Sequence, residues 1–95
     1  MKFAAVIEYT PDKSKIAHFR PPHREYLMGL REAGKAAMAG PFTDESGGLL
    51  IYEAESKEEV ERMIRDDPFG QGGVFVSWTI RPWNLLWVNQ TLMPA

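Results

Sequence analysis

Short apolar runs and helical repeats of apolar residues follow each other along the chain and predict its secondary structure. Residues 3–9 form an apolar run closed by a Thr-Pro-Asp turn, which is typical of a strand. Residues 11–20 are mostly polar, and we expect them to form a connection. Pro21 and Pro22 are predicted to start the first helix, because proline costs little in a first turn. From residue 23 to residue 37, apolar positions recur at helical spacing.

The second half of the chain repeats this order. Residues 36–42 are predicted to end the first helix and to begin a second strand. A glycine-rich hairpin loop then leads to a third strand at 49–52. A capping box at Ser56 opens the second helix, which Pro68 must end. A flexible glycine turn then leads to the strongest strand pattern of the chain, residues 74–80.

The predicted order β-α-β-β-α-β indicates an α+β fold. Right-handed crossovers and a short hairpin favour a ferredoxin-like sheet with both helices on one face. The other face is also apolar, so we expect a second subunit to cover it and form a homodimeric α+β barrel. The alternative cover is the chain's own C-terminal tail. We assign residues 1–83 to the α+β domain and residues 84–95 to an apolar extension of the same domain.

Composition limits the classes of binding partner and indicates a cellular location. The 95 residues carry a net charge of −2 with no basic stripe, so neither nucleic acid nor an anionic membrane is an expected partner. Cysteine is absent, which excludes disulfides and a cysteine nucleophile. The sequence shows no pattern of a signal peptide or a membrane span, so we expect a cytoplasmic protein.

His23 and Asp67 are the strongest candidates for chemistry. In a split β-α-β fold the two helices run in opposite directions, so the start of the first meets the end of the second. Both residues lie on the inward face of their predicted helices, where a polar group is costly unless paired. An imidazole beside a carboxylate is typical of an acid/base pair acting near neutral pH. The competing interpretation is a buried histidine with a purely structural role, whose hydrogen bond the carboxylate accepts.

Three segments resemble the YciI-like (YCII-related) family: Arg20-Pro21-Pro22-His23, Ala39-Gly40-Pro41-Phe42 before the Gly-Gly hairpin, and Asp67-Pro68-Phe69 followed by Gly72-Gly73-Val74. The resemblance runs from about residue 2 to residue 83. It implies a dimeric α+β barrel similar to muconolactone isomerase, with a catalytic histidine and aspartate that fall on His23 and Asp67. The clearest activity associated with the family is chlorohydroxyhydroquinone dehydrochlorination.

Five further side chains are predicted to bind substrate: His18, Arg20, Tyr26, Ser77 and Trp78. His18 or Arg20 would face a phenolate or a departing halide. For the others, packing is the alternative role. A metal site of two histidines and one carboxylate is conceivable, but no tight ligand spacing supports it, so neither a metal nor another cofactor is expected.

The extension from residue 84 to residue 95 contains Trp87, and Trp83 directly precedes it. We favour packing over the sheet or an arm across the dimer. Alternatively, the indole rings would wall a pocket for a flat ring.

The leading hypothesis is a cofactor-independent acid/base enzyme of small-molecule aromatic catabolism. Its sharpest form is a carbon–halide lyase that eliminates HCl from a chlorinated hydroxyhydroquinone to give a hydroxyquinone. His23 would shuttle the proton, and Asp67 would act as the base or orient the ring. The alternatives are an isomerase of a lactone or enol and a non-catalytic module that binds a small ligand.

Overall fold

The computed structural model describes residues 1–94. The elements are β1 (Lys2–Tyr9), α1 (Lys13–Glu32), β2 (Ala36–Pro41), β3 (Gly47–Glu53), α2 (Lys57–Asp66), α3 (Pro68–Gln71), β4 (Phe75–Trp83) and a 3₁₀ turn (Gln90–Leu92). The strands form one antiparallel sheet in the order β2-β3-β1-β4. The predicted α+β class and ferredoxin-like arrangement are therefore confirmed. Within residues 1–94, no helix combines the length and apolar character that a bilayer crossing requires.

The helix α1 begins at Lys13 rather than at Pro21, so the connection predicted for residues 11–20 is wrong. Asp12 caps the helix, because its carboxylate accepts the N–H groups of Ser14 and Lys15. Pro21 lies inside the helix together with its neighbouring proline, and both are exposed. An interior proline costs about 3 kcal/mol because it removes a hydrogen bond. The first two turns are held instead by the cap and by burial of their apolar residues.

The predicted turn after α2 contains a one-turn helix, α3. Pro68 disfavours helical geometry at Asp67, and Asp67 accordingly has an extended backbone with φ −60° and ψ 137°. The Asp67 side chain then accepts the N–H of Phe69 at 2.9 Å and starts the new helix. One residue therefore ends α2 and caps α3.

The core lies between the sheet and the helices. The strands contribute Phe3, Ala5, Ile7, Leu50, Tyr52 and Ile80, and the helices contribute Ile16, Val60, Ile64 and Phe69. Alternate residues of β1 point into this core, as expected for a strand with one covered face. The core thus fixes α1 and α2 on the same side of the sheet.

The opposite sheet face is open in the single chain. Val6 and Leu49 are 45% and 41% exposed. The described part of the extension, residues 84–94, also leaves large apolar side chains in solvent, including Leu86 at 86% and Trp87 at 73% exposed. Ala95 lies outside the described residues. The expected homodimer and the role of the extension stay predictions.

Gly47 provides a stability test of the β1–β3 pairing. A Cβ added at Gly47 would overlap the carbonyl oxygen of Ile7, whereas a Cβ at Gly40 meets no atom within 4 Å. We expect Gly47→Ala to lower the free energy of unfolding by roughly 2 kcal/mol. Gly40→Ala should change it by less than about 0.5 kcal/mol. Urea unfolding measures both, and equal stability of the two variants would contradict the described register.

Candidate active site

His23 and Asp67 lie in direct contact in the core. The Nδ1 atom of His23 is 2.7 Å from Oδ1 of Asp67. Asp67 is fully buried, and His23 is only 7% exposed. The expected convergence of these two residues, which are 44 positions apart in the sequence, is therefore present. Their catalytic role is a separate matter and stays a prediction.

The contact is reached by a different route from the one that the sequence indicated. His23 lies in the middle of α1, not at its start, because α1 begins at Lys13. Asp67 lies at the junction of α2 and α3. The contact therefore joins the centre of α1 to the end of α2, and the helix N-terminus beside the imidazole is that of α3 rather than that of α1.

The hydrogen bonds of Asp67 leave one ring nitrogen of His23 available. Oδ1 of Asp67 accepts both the Nδ1–H of His23 and the backbone N–H of Phe69. This assignment follows from an ionised carboxylate, which can only accept. The ring of Phe69 stacks on the imidazole with 3.8 Å between centroids and 7° between planes. The imidazole is thus fixed in one orientation, with Nε2 as the nitrogen that can exchange a proton with a ligand.

A cavity of about 220 Å³ lies beside His23. Its lining residues come from β1, α1, β2, β3 and α3: Tyr9, His23, Arg24, Leu27, Ala39, Gly40, Pro41, Leu50 and Phe69. Pockets for drug-sized ligands measure about 300–1,000 Å³, so this volume suits a single-ring molecule. Another depression of about 190 Å³ lies further along α1, but its lining of apolar residues and Arg31 offers no group that exchanges a proton near neutral pH.

Tyr9 places a phenolic hydroxyl in the cavity. The close approach of its hydroxyl requires glycine at position 48, where an added Cβ would lie 2.9 Å from the oxygen. Burial raises the pKa of Tyr9, and the carboxylate of Asp67 adds to the rise, while Arg20 and Arg24 oppose it. Tyr9 is therefore a neutral hydrogen-bond donor at physiological pH.

Two buried polar atoms have no hydrogen-bond partner within residues 1–94. They are the hydroxyl of Tyr52 and Oδ2 of Asp67. Burial raises the pKa of Tyr52 far above its ordinary value, and the charge of Asp67 raises it further. Unpaired buried groups are costly, so this part of the core is less stable than its packing alone would make it.

The two residues predicted to face an anion do not line the cavity. His18 is exposed and meets the edge of the Phe19 ring, with 4.8 Å between centroids. The guanidinium of Arg20 binds the carboxylate of Glu45 at 3.0 Å. That ion pair directs Arg20 toward the β2–β3 loop, and the anion-facing role of His18 or Arg20 stays a prediction.

The other three predicted substrate-binding residues also lie outside the cavity. Tyr26 donates a hydrogen bond to the carbonyl of Met63 at 2.9 Å. Ser77 is exposed on β4, and Trp78 packs under the guanidinium of Arg65, which is 5.2 Å from the ring centroid. The geometry of the single chain gives Tyr26 and Trp78 a structural role, and substrate binding by all three residues stays a prediction.

Two lining residues were missed by the sequence analysis. Arg24 follows His23 directly, and the sequence analysis assigned no role to it. Phe69 follows Asp67 by two positions, and its stacking depends on the one-turn helix α3. Adjacency to the two candidate residues was the available signal in both cases. In the described range 1–94, no cluster of three or more His, Asp or Glu side chains could hold a metal ion.

Comparisons with known proteins identify the family of the chain. The model of the YCII-related domain family matches residues 1–84. The chain belongs to this family. A curated relative, the uncharacterized protein YjpA of Bacillus subtilis (strain 168), is 36% identical over 63 residues, which cover 66% of this chain and 73% of the relative. Because YjpA is uncharacterized, it indicates no function for this chain.

One solved structure has a named activity. It is 5-chloro-2-hydroxyhydroquinone dehydrochlorinase (TftG) from Burkholderia phenoliruptrix AC1100, in complex with 2,5-dihydroxybenzoquinone. The TM-score is 0.77 at 29% identity, and the match covers 88% of this chain and 94% of that one. The chain is thus similar over nearly its whole length to an enzyme that binds a single quinone ring.

Tyr52 and Tyr26 form a matched pair for a stability test. Tyr52→Phe removes an unpaired buried hydroxyl, so we expect the free energy of unfolding to stay constant or rise by up to about 1 kcal/mol. Tyr26→Phe breaks the hydrogen bond to Met63 and should lower it by about 1 kcal/mol. Denaturant titration of both variants measures this difference. A larger loss for Tyr52→Phe than for Tyr26→Phe would contradict the described hydrogen bonding.

Tyrosine ionisation should make the fold sensitive to alkaline pH. Burial, with added repulsion from Asp67 and Asp66, raises the pKa of Tyr26 to about 12, whereas the unfolded chain ionises near 10. Since the folded pKa is the higher one, stability is retained below about pH 10 and falls as pH rises toward 12. Tyrosinate absorbance and unfolding midpoints across that range test this. A Tyr26→Phe variant should lose stability less steeply, and an identical slope would contradict the assignment.

Proposed function

We propose that this protein is a lyase that eliminates HCl from a chlorinated hydroxyhydroquinone and releases a hydroxyquinone. The observation that carries the proposal is the buried His23–Asp67 hydrogen bond beside a cavity of single-ring size. Support comes from the similarity to the dehydrochlorinase TftG, whose structure holds a quinone ring. The proposed setting is cytoplasmic catabolism of small aromatic compounds.

The reaction balances without an external oxidant. Loss of a proton from a ring hydroxyl gives a phenolate. The phenolate then accepts a proton at the carbon that carries chlorine, which gives the keto form of the ring. When a second hydroxyl loses its proton, its electron pair forms a C=O bond, the double bonds shift, and the C–Cl pair leaves with chloride. The products are a hydroxyquinone, chloride and one proton. The protein therefore has to move protons and stabilise negative charge, which is acid/base and electrostatic work.

The geometry suggests a division of labour between the two residues. Asp67 has no exposure and is separated from the cavity by the imidazole, so we assign it the role of a positioning residue. His23 lines the cavity, and its Nε2 would take the hydroxyl proton and return it at carbon. The stacked ring of Phe69 would limit rotation of the imidazole during these transfers.

We also propose that the protein acts as a homodimer. The supporting observation is the row of exposed apolar side chains on the open sheet face, including Val6 and Leu49. Sheet-to-sheet contact with a second copy would remove this apolar surface from water.

Chloride release tests the proposed reaction. Purified protein should release one chloride per chlorohydroxyhydroquinone consumed, faster than buffer alone. We expect His23→Gln to lower kcat by about 10²–10⁴, the usual contribution of general acid/base catalysis. Asp67→Asn should also lower kcat, because Oδ1 would no longer hold the ring as an ionised acceptor. Asp66→Asn is the matched control: Asp66 is the exposed neighbour, and its substitution should leave kcat within about twofold.

Three results would contradict the proposal. The first is consumption of the substrate without chloride release. The second is isomerisation of a lactone or enol in place of elimination, which would favour the isomerase alternative. The third is a wild-type turnover no higher than that of His23→Gln and Asp67→Asn with every quinol, lactone and enol tested. This result would favour a ligand-binding module. Circular dichroism of each variant shows whether it is folded.

A further inference from the structure

The cavity beside His23 has an asymmetric charge. Among its lining residues, Arg24 carries the one permanent charge, and no carboxylate is exposed to the cavity. The remaining lining groups are apolar, apart from the Tyr9 hydroxyl and the imidazole. A ligand in this cavity therefore meets a lining cation and a neutral hydrogen-bond donor, while the carboxylate of Asp67, which also acts on Tyr9, is buried and hydrogen-bonded to His23.

Arg24 differs from Arg20, which lies one helical turn earlier. Arg20 is neutralised by Glu45 at 3.0 Å, and Glu45 also lies 3.8 Å from Lys13. Within residues 1–94, the guanidinium of Arg24 forms no ion pair and no intramolecular hydrogen bond. Its five N–H donors are therefore free to meet a ligand.

The position of Arg24 relative to Tyr9 supports the same assignment. The charges of Arg20 and Arg24 both act to lower the pKa of Tyr9, against the larger effects of burial and of Asp67, and of these two arginines only Arg24 lines the cavity. A ligand oxygen near the Tyr9 hydroxyl would accept a hydrogen bond from it and be attracted to Arg24. Together these groups form the polar part of a lining that also contains the apolar side chains of Leu27 and Leu50.

We infer that Arg24 binds the ionised oxygen of a ring substrate, with Tyr9 as the second donor to the same oxygen. The substrate class is a planar single ring carrying a phenolate or an enolate. This inference rests on the proposed function and names the ionic form of the substrate that the protein would bind. Arg24 would lower the cost of the first deprotonation, and His23 would then handle the proton transfer at carbon.

Calorimetric binding of two rings of equal size tests this inference without turnover. The hydroxyls of 2,5-dihydroxybenzoquinone are vinylogous acids and are ionised at neutral pH, whereas hydroquinone is a phenol with a pKa near 10 and stays neutral. We expect the wild-type protein to bind the ionised ring roughly tenfold more tightly. Arg24→Gln should remove most of this preference and change hydroquinone binding by less than about twofold. Arg24→Lys should keep part of it, because the charge remains but the planar fork is lost.

Arg31→Gln is the matched control, since it removes the same charge from an exposed position of the same helix, outside this cavity. It should leave the preference unchanged. The inference is overturned if the wild-type protein does not bind the ionised ring, if Arg24→Gln weakens both rings equally, or if Arg20→Gln causes the larger loss. Charge-selective binding without chloride release would retain the role of Arg24 and reject the proposed reaction, so the two failures are distinguishable.

Discussion

A carboxylate with no access to solvent has to be hydrogen-bonded, and Asp67 meets that requirement at Oδ1, which accepts two hydrogen bonds, but not at Oδ2. Its backbone ends α2 because Pro68 follows, and its side chain starts α3 by capping Phe69. The same oxygen holds His23, which comes from the centre of α1. One side chain therefore connects all three helices and sets the orientation of the imidazole at the cavity.

This arrangement separates the side of the imidazole that bonds to Asp67 from the side that lines the cavity. Asp67 and Phe69 contact the ring from the core, while the cavity side offers Tyr9 and Arg24 as donors. A group that must both accept and return protons needs a fixed orientation and free access at one nitrogen. The geometry satisfies both needs within a single chain of 95 residues.

Sequence patterns predicted those parts of the fold that depend on periodicity. The element order and the antiparallel sheet follow from strand and helix spacing together with the handedness of crossovers. The meeting of His23 with Asp67 was also predicted, although from a helix start at Pro21 that the structure does not have. The start of α1 was not predicted, because Pro21 is a stronger local signal for a helix start than the Asp12 cap. In the folded chain, buried contacts outweigh the cost of proline inside the helix. Arg24 was missed since an exposed arginine on a helix looks the same whether it faces solvent or a cavity.

The central claim is that Asp67 fixes the protonation pattern of the His23 ring. Nitrogen NMR of histidine-labelled protein measures this most directly, because the two ring nitrogens have distinct shifts when one carries the proton. At a pH where the ring is neutral, the account predicts that Nδ1 of His23 is protonated and Nε2 is not, and that Asp67→Asn weakens this bias. A neutral ring protonated at Nε2, or a tautomer unaffected by Asp67→Asn, would contradict it.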